Sequence, residues 1–281
     1  MVGKKSVLQL VKVRSHTMKN LRRNYPEYLM EAAGLGIFMI SAAVVTAVLE
    51  HPASPIRQAI SEPLLRRFII GVAMGLTAIA IIYSPWGKQS GAHINPVVTF
   101  TFLRLGKIKP TDALFYILAQ FVGGFLGLLL VLVWGGEAIA NPSVNYVITT
   151  PGPSGPGVAL IAELSISFGI MLMILFVSNS PKLSRFTGIF AGVLIATYIT
   201  VEAPLSGMSM NPARTLASAI PAQNWTAIWV YFTAPLLGML SAAEVYIRLK
   251  GKRAVRCAKL HHRNNKRCIF HCGYRQPEGS K

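Results

Sequence analysis

The chain has 281 residues, of which 52% are hydrophobic and only 14% charged, a balance that excludes an ordinary water-exposed globule and points to an integral membrane protein. Its 28 Lys and Arg against 10 Asp and Glu would suggest nucleic acid if the excess covered one face. Instead it sits at the ends: residues 1–24 hold Lys4, Lys5, Lys12, Arg14, Lys19, Arg22 and Arg23 with no acid, and residues 248–281 hold eleven more basic residues against Glu278 alone. Basic flanks are retained on the cytoplasmic side and attracted to anionic lipid, so both termini are expected there, with membrane lipid and no nucleic acid as partner.

A helix needs about 20 mostly apolar residues to cross the hydrocarbon core. In chain order six stretches meet that need, at 28–49, 67–86, 112–134, 158–178, 184–202 and 226–247. The first follows a long basic segment and exceeds the apolar part of a signal peptide, so it is read as a retained span. An even number of spans returns the C-terminus to the side of the N-terminus. Connections on that side carry Lys88, Arg104, Lys107, Lys109, Lys182 and Arg185, whereas the loop 135–157 on the other side carries no basic residue. Arg57 and Arg66 in loop 50–66 run against this pattern. Gly123, Gly124, Gly127, Gly188 and Gly192 offer small faces for close helix approach.

Two segments, 91–104 and 207–220, are too short to span. Each begins with a similar pattern, Ser-Gly-Ala-His-Ile-Asn-Pro at 90–96 and Ser-Gly-Met-Ser-Met-Asn-Pro at 206–212, and each lies between the second and third span of its half. A glutamate recurs near the start of each half, as Glu31 and Glu163. This is an internal repeat, and three spans per repeat force the second copy to insert upside down. Repeat 1 covers about 25–135 and repeat 2 about 158–250, between a basic N-terminal segment 1–24 and a basic tail 251–281.

In each motif the asparagine is placed to cap a helix whose first residue is proline, Asn95-Pro96 and Asn211-Pro212. Irregular backbone at membrane depth is tolerated only where protein buries it or a cavity wets it, so these loops should line a path. Two helix N-termini meeting from opposite leaflets bring together roughly half a positive charge each, which repels cations and hydronium. The Asn95 and Asn211 amides offer donors to a passing neutral solute. Glu31 and Glu163 are read as acceptors that hold the two loops, and His93 as a residue that packs or fixes its loop. Asn141-Pro142-Ser143 precedes no helical pattern and is read as a turn, and the Asn224-Trp225-Thr226 sequon adjoins a span.

The paired motifs, continuing as Asn-Pro-Val at 95–97 and Asn-Pro-Ala-Arg at 211–214, together with Glu31 and Glu163, resemble those of the aquaporin, or major intrinsic protein, family over about residues 25–250. The resemblance implies an all-α membrane protein with six transmembrane helices and two half-spanning re-entrant helices, assembled as a homotetramer of independently conducting protomers. It implies a constriction formed by Arg214, Met208, Ile199 and a fourth position that falls on Met74, or on Gly75 if the following loop holds no insertion. These residues depart from the water-selective set, which has phenylalanine and histidine there. Thr215 stands where glycerol channels usually carry aspartate, while Tyr231 and Phe232 before Pro235 are more like the water-channel side.

The function expected is passive passage of water and small uncharged solutes, without a cofactor, across a plasma or bacterial inner membrane. The alternatives are a glycerol or small neutral solute facilitator and a structural membrane protein with a vestigial pore. No matched nucleophile and base supports an enzyme. The three cysteines all lie in the tail, where Cys257, His261, Cys268, His271 and Cys272, with His262 adjacent, form a candidate zinc set. Lipidation of a juxtamembrane cysteine is a second use for these thiols.

Overall fold

The computed structural model describes residues 2–274, and side chains from Leu21 onward. The basic side chains before Leu21 and the last seven residues of the tail lie outside the described residues. Eight helices matter here: α1 (Val2–Glu50), α2 (Pro63–Tyr83), α3 (Pro96–Arg104), α4 (Pro110–Ala140), α5 (Gly155–Ser178), α6 (Thr187–Val201), α7 (Pro212–Ala222) and α8 (Ile228–Lys250). Six are long and apolar enough to cross a membrane, counting Leu21–Glu50 of α1 and Ser184–Val201 around α6. The protein is an integral membrane protein of all-α class. α3 and α7, at 9 and 11 residues, are the half-spanning pair.

Span limits differ from the sequence expectation where prolines and caps decide. The second span starts at Pro63 and stops at Tyr83, because the Ser84 hydroxyl caps a separate turn, Pro85–Ser90, by accepting the Gly87 N–H. The third begins at Pro110 and runs to Ala140, through a local kink at Gly135.

The repeat is visible in the packing. α1 packs on α4 and α5 on α8, the same pairing in the two halves, while α2 packs on α6 across the repeat axis. Backbones approach closely at these crossings. A methyl group on Gly123 would come within 2.1 Å of Ala32 O, and one on Gly127 within 2.4 Å of Gly36 O. At the α2 and α6 crossing, a methyl on Gly75 would lie 2.4 Å from Gly192 O. In lipid, where apolar burial drives little association, such close packing is a main source of helix attraction.

The start of the apolar part of α1 and the described tail share one face, the terminal face. Arg267 of the tail donates to Arg23 O at 2.8 Å and also contacts the Asn24 side chain at the start of the apolar part of α1. Arg66, unexpected in loop 50–66, belongs to the opposite face. It is 3% exposed, pairs with Glu50 at 3.1 Å and donates to the carbonyls of Ile60 and Ser61.

Candidate functional site

The two re-entrant loops are the same object built twice. Gly91, Ala92 and Ile94 have φ of 98°, 55° and 40°, and Gly207, Met208 and Met210 have φ of 80°, 51° and 54°. Positive φ at non-glycine residues costs energy and persists only where surrounding contacts hold it. Those contacts are carboxylates. Glu31 accepts the N–H groups of His93 at 3.1 Å and Ile94 at 2.6 Å, and Glu163 accepts those of Ser209 at 2.6 Å and Met210 at 2.7 Å. Both carboxylates also accept a serine hydroxyl, Ser90 at 2.7 Å and Ser206 at 2.8 Å. Each is fully buried.

The proline at the first helical position and the asparagine before it start both half-helices. Asn95 Oδ1 accepts the Val97 N–H at 2.8 Å, and Asn211 Oδ1 accepts those of Ala213 at 3.0 Å and Arg214 at 3.3 Å. The amide nitrogens cross the repeat axis: Asn95 Nδ2 donates to Met210 O and Asn211 Nδ2 to Ile94 O, each at 2.8 Å. Each loop is therefore fastened to the other. A carboxamide nitrogen carries two N–H donors, so one per asparagine remains beyond this staple.

A cavity of about 420 Å³ passes these asparagines. Its wall includes Asn95, Asn211, Arg214, Met208, Ile199, Met74 and His93. Met74 lies on the wall, whereas Gly75 faces the α6 backbone. Pro96 and Pro212 are buried at the half-helix starts. Arg214 donates from Nη1 to Val147 O at 2.7 Å, which brings the loop between α4 and α5 to the cavity rim. Ile70 and Ile195 add apolar wall. The site is thus a few oriented donors in a mostly apolar tube.

The supporting contacts of several residues escaped the sequence reading. Tyr116 and Tyr231 donate to Ser90 O at 2.8 Å and Ser206 O at 2.6 Å. Gln120 donates to Glu31 at 2.8 Å. Thr99 and Thr215, each four residues after its asparagine, contact His93 Nδ1 at 3.0 Å and Ser209 Oγ at 2.6 Å. The serines were already inside the quoted motifs, and their identical offset from Asn-Pro was the available signal.

The tail corrects the sequence-derived metal set. The ligand atoms of Cys257, His262, Cys268 and Cys272 all lie within 4.8 Å of one another. His261 and His271 are not in this cluster. His261 turns the other way from its neighbour and meets Tyr83 edge-on, and His271 Nδ1 donates to Gly106 O at 2.9 Å.

Six spans and two half-helices joined at a central cavity define a pore-type membrane protein. The family model described as "Major intrinsic protein" matches residues 16–246, and the chain belongs to that family. Among curated relatives it is 36% identical over 188 residues to "Aquaporin NIP2-2" of Zea mays, a match covering 65% of this chain and 60% of that one. It is 36% identical over 186 residues to "Probable aquaporin AqpM" of Archaeoglobus fulgidus, covering 64% and 75%. The match thus spans about 60% of the length of the maize relative. In fold it is similar to the aquaglyceroporin from Plasmodium falciparum, with a TM-score of 0.69 at 21% identity, covering 82% of this chain and 98% of that one.

Proposed function

We propose that the chain is a passive channel for water and small uncharged solutes that excludes ions and protons. The observation that carries this reading is the pair of cross-stapled asparagines on the cavity wall, at the N-termini of two facing half-helices. One amide N–H of each asparagine holds the loops together, and the other is free to replace a hydrogen bond that a solute loses on leaving bulk water. The two positive helix ends oppose any cation at that point. Names of relatives that include aquaporins support the same reading.

Arg214, Met208, Ile199 and Met74 form the constriction in this reading. Three of the four are apolar, so the narrow part is less polar than one built around a histidine and favours small neutral solutes beside water. Glu31 and Glu163 support the pore wall without touching the solute, and His93 fixes its loop from a place on the wall. Permeation needs no cofactor, and zinc is proposed for the tail alone. The terminal face is assigned to the cytoplasm on the basic residues near the span ends, and a homotetramer in a plasma or bacterial inner membrane completes the proposal.

Stopped-flow shrinkage of proteoliposomes with water, glycerol and urea tests it. Osmotic permeability well above empty liposomes, with a solute ranking altered by Arg214→Ala, is the expected result. An unchanged ranking would remove Arg214 from the constriction.

A further inference from the structure

Residues 251–274 form no helix or strand beyond one turn at Lys252–Ala254, yet Val255, Cys257, Ala258, Leu260 and Phe270 are buried. An irregular segment of this size has little core of its own and needs a crosslink to hold one shape. The four-residue Cys/His cluster sits where such a crosslink belongs. Cys257 and Cys268 sulfurs are 3.6 Å apart, and Cys272 Sγ is 3.0 Å from His262 Nε2. Zinc–sulfur bonds of about 2.3 Å at tetrahedral angles put sulfurs about 3.7 Å apart. A disulfide would need about 2.05 Å.

Backbone N–H groups reach two of the sulfurs. The Tyr274 N–H donates to Cys272 Sγ at 3.4 Å, and the Lys259 backbone makes the equivalent bond to Cys257, in each case from two residues further along the chain. Three thiolates and a neutral imidazole around a divalent cation leave one net negative charge. Lys252, Arg253, Arg256, Lys259, Arg263, Lys266 and Arg267 surround it in sequence. Four protein ligands close the coordination shell, as in a structural zinc site with no open position.

The folded tail lies over the terminal mouth of the cavity. Leu260, 4% exposed, is part of the cavity wall together with Ala78, Ile82 and Ile174. The Leu260 N–H donates to Gly91 O at 3.1 Å, and His93 Nε2 donates to Ala258 O at 2.9 Å. Phe270 stacks on His93 with ring centres 5.4 Å apart. The tail is also tied across the whole face. Arg256 N–H donates to Asn179 Oδ1 at 2.7 Å, Tyr274 to Ser178 O at 2.9 Å and His271 N–H to Lys107 O at 2.9 Å.

We propose that Cys257, His262, Cys268 and Cys272 bind one zinc ion, and that the zinc-held tail narrows the terminal mouth of the pore with Leu260. Zinc binding supplies the folding energy of the tail, so loss of zinc releases the cap. The gating half of this proposal rests on the channel reading; the zinc half does not.

The test uses the full-length protein, purified under reducing conditions. Metal analysis is expected to find one zinc per chain in the wild type and in Leu260→Gly, and none in Cys268→Ser or after treatment with a strong chelator. In proteoliposomes, water permeability is expected to rise several-fold on chelation, in Cys268→Ser and in Leu260→Gly, and to fall again when zinc is returned to the chelated wild type. Failure of the reduced wild type to take up zinc would overturn the site, as would paired, oxidised cysteines in its place. Zinc bound stoichiometrically with permeability equal before and after chelation would overturn the cap. Zinc bound as expected with no permeability in any form, Leu260→Gly included, would overturn the gating half through the channel reading and leave the zinc site standing.

Discussion

At the membrane centre, Glu31 and Glu163, Ser90 and Ser206, Tyr116 and Tyr231, and Asn95 and Asn211 make matching contacts in the two repeats. At the two mouths the match ends. Arg214 follows Asn211 by three residues and reaches Val147, whereas Val98 holds the equivalent position after Asn95 and is buried. The second loop is covered by the α4–α5 connection, with Thr149 against Gly207, and the first by the tail, with Phe270 against Gly91. Correspondingly, the cavity wall includes Gly207 on one side, but on the other it stops at Ala92 and Leu260. The repeat fixes how two broken helices are held, and the unrepeated segments make the two entrances differ.

The largest expected effect tests the shared centre. Glu31→Ala and Glu163→Ala each leave two buried backbone N–H groups without their acceptor, at about 1–3 kcal/mol per group. Thermal unfolding in detergent should register similar, severe losses for both; a severe loss for only one would break the equivalence. Next come the helix crossings. Gly123→Ala forces a methyl group against Ala32 O, and overpacking of this kind costs about 1–3 kcal/mol. Gly75→Ala should cost a similar amount in the same assay, because its methyl meets Gly192 O.

A third comparison separates the mouths. Arg214→Ala is expected to raise the ratio of glycerol to water permeability by about tenfold, equivalent to roughly 1.4 kcal/mol of barrier. Val98→Ala, its repeat counterpart, should leave the ratio unchanged; equal effects would mean that the entrances do not differ as the contacts indicate. The smallest effect is expected for Tyr116→Phe and Tyr231→Phe. Each removes one hydrogen bond to a loop carbonyl and should cost about 1 kcal/mol, read as matched small shifts in unfolding temperature.

The repeated parts were the parts legible in the sequence. Span length, Asn-Pro starts and the spaced glutamates each follow from local chemistry, and two copies reinforce one another. Span ends were less legible, because Ser84 stops α2 through a side-chain cap that hydropathy does not register. Tyr116 and Gln120 were missed because a tyrosine or glutamine inside a span has no pattern of its own until its partner, Ser90 or Glu31, is placed beside it. The tail was half legible. Cysteine and histidine clustering marked it, but spacing alone does not say which of two adjacent histidines turns inward, and the structure selects His262 over His261. Nor could the sequence bring Leu260 to the cavity, since that contact depends on how an irregular segment crosses the whole terminal face.

Osmotic shrinkage of proteoliposomes carrying the full chain, treated with chelator to free the terminal mouth and compared with empty liposomes, tests the central claim most directly. The expected result is rapid water flux with proton and ion leak no higher than in empty liposomes. Water flux equal to that of empty liposomes, or flux accompanied by ion conduction, would contradict a pore built on the paired Asn95 and Asn211 half-helices.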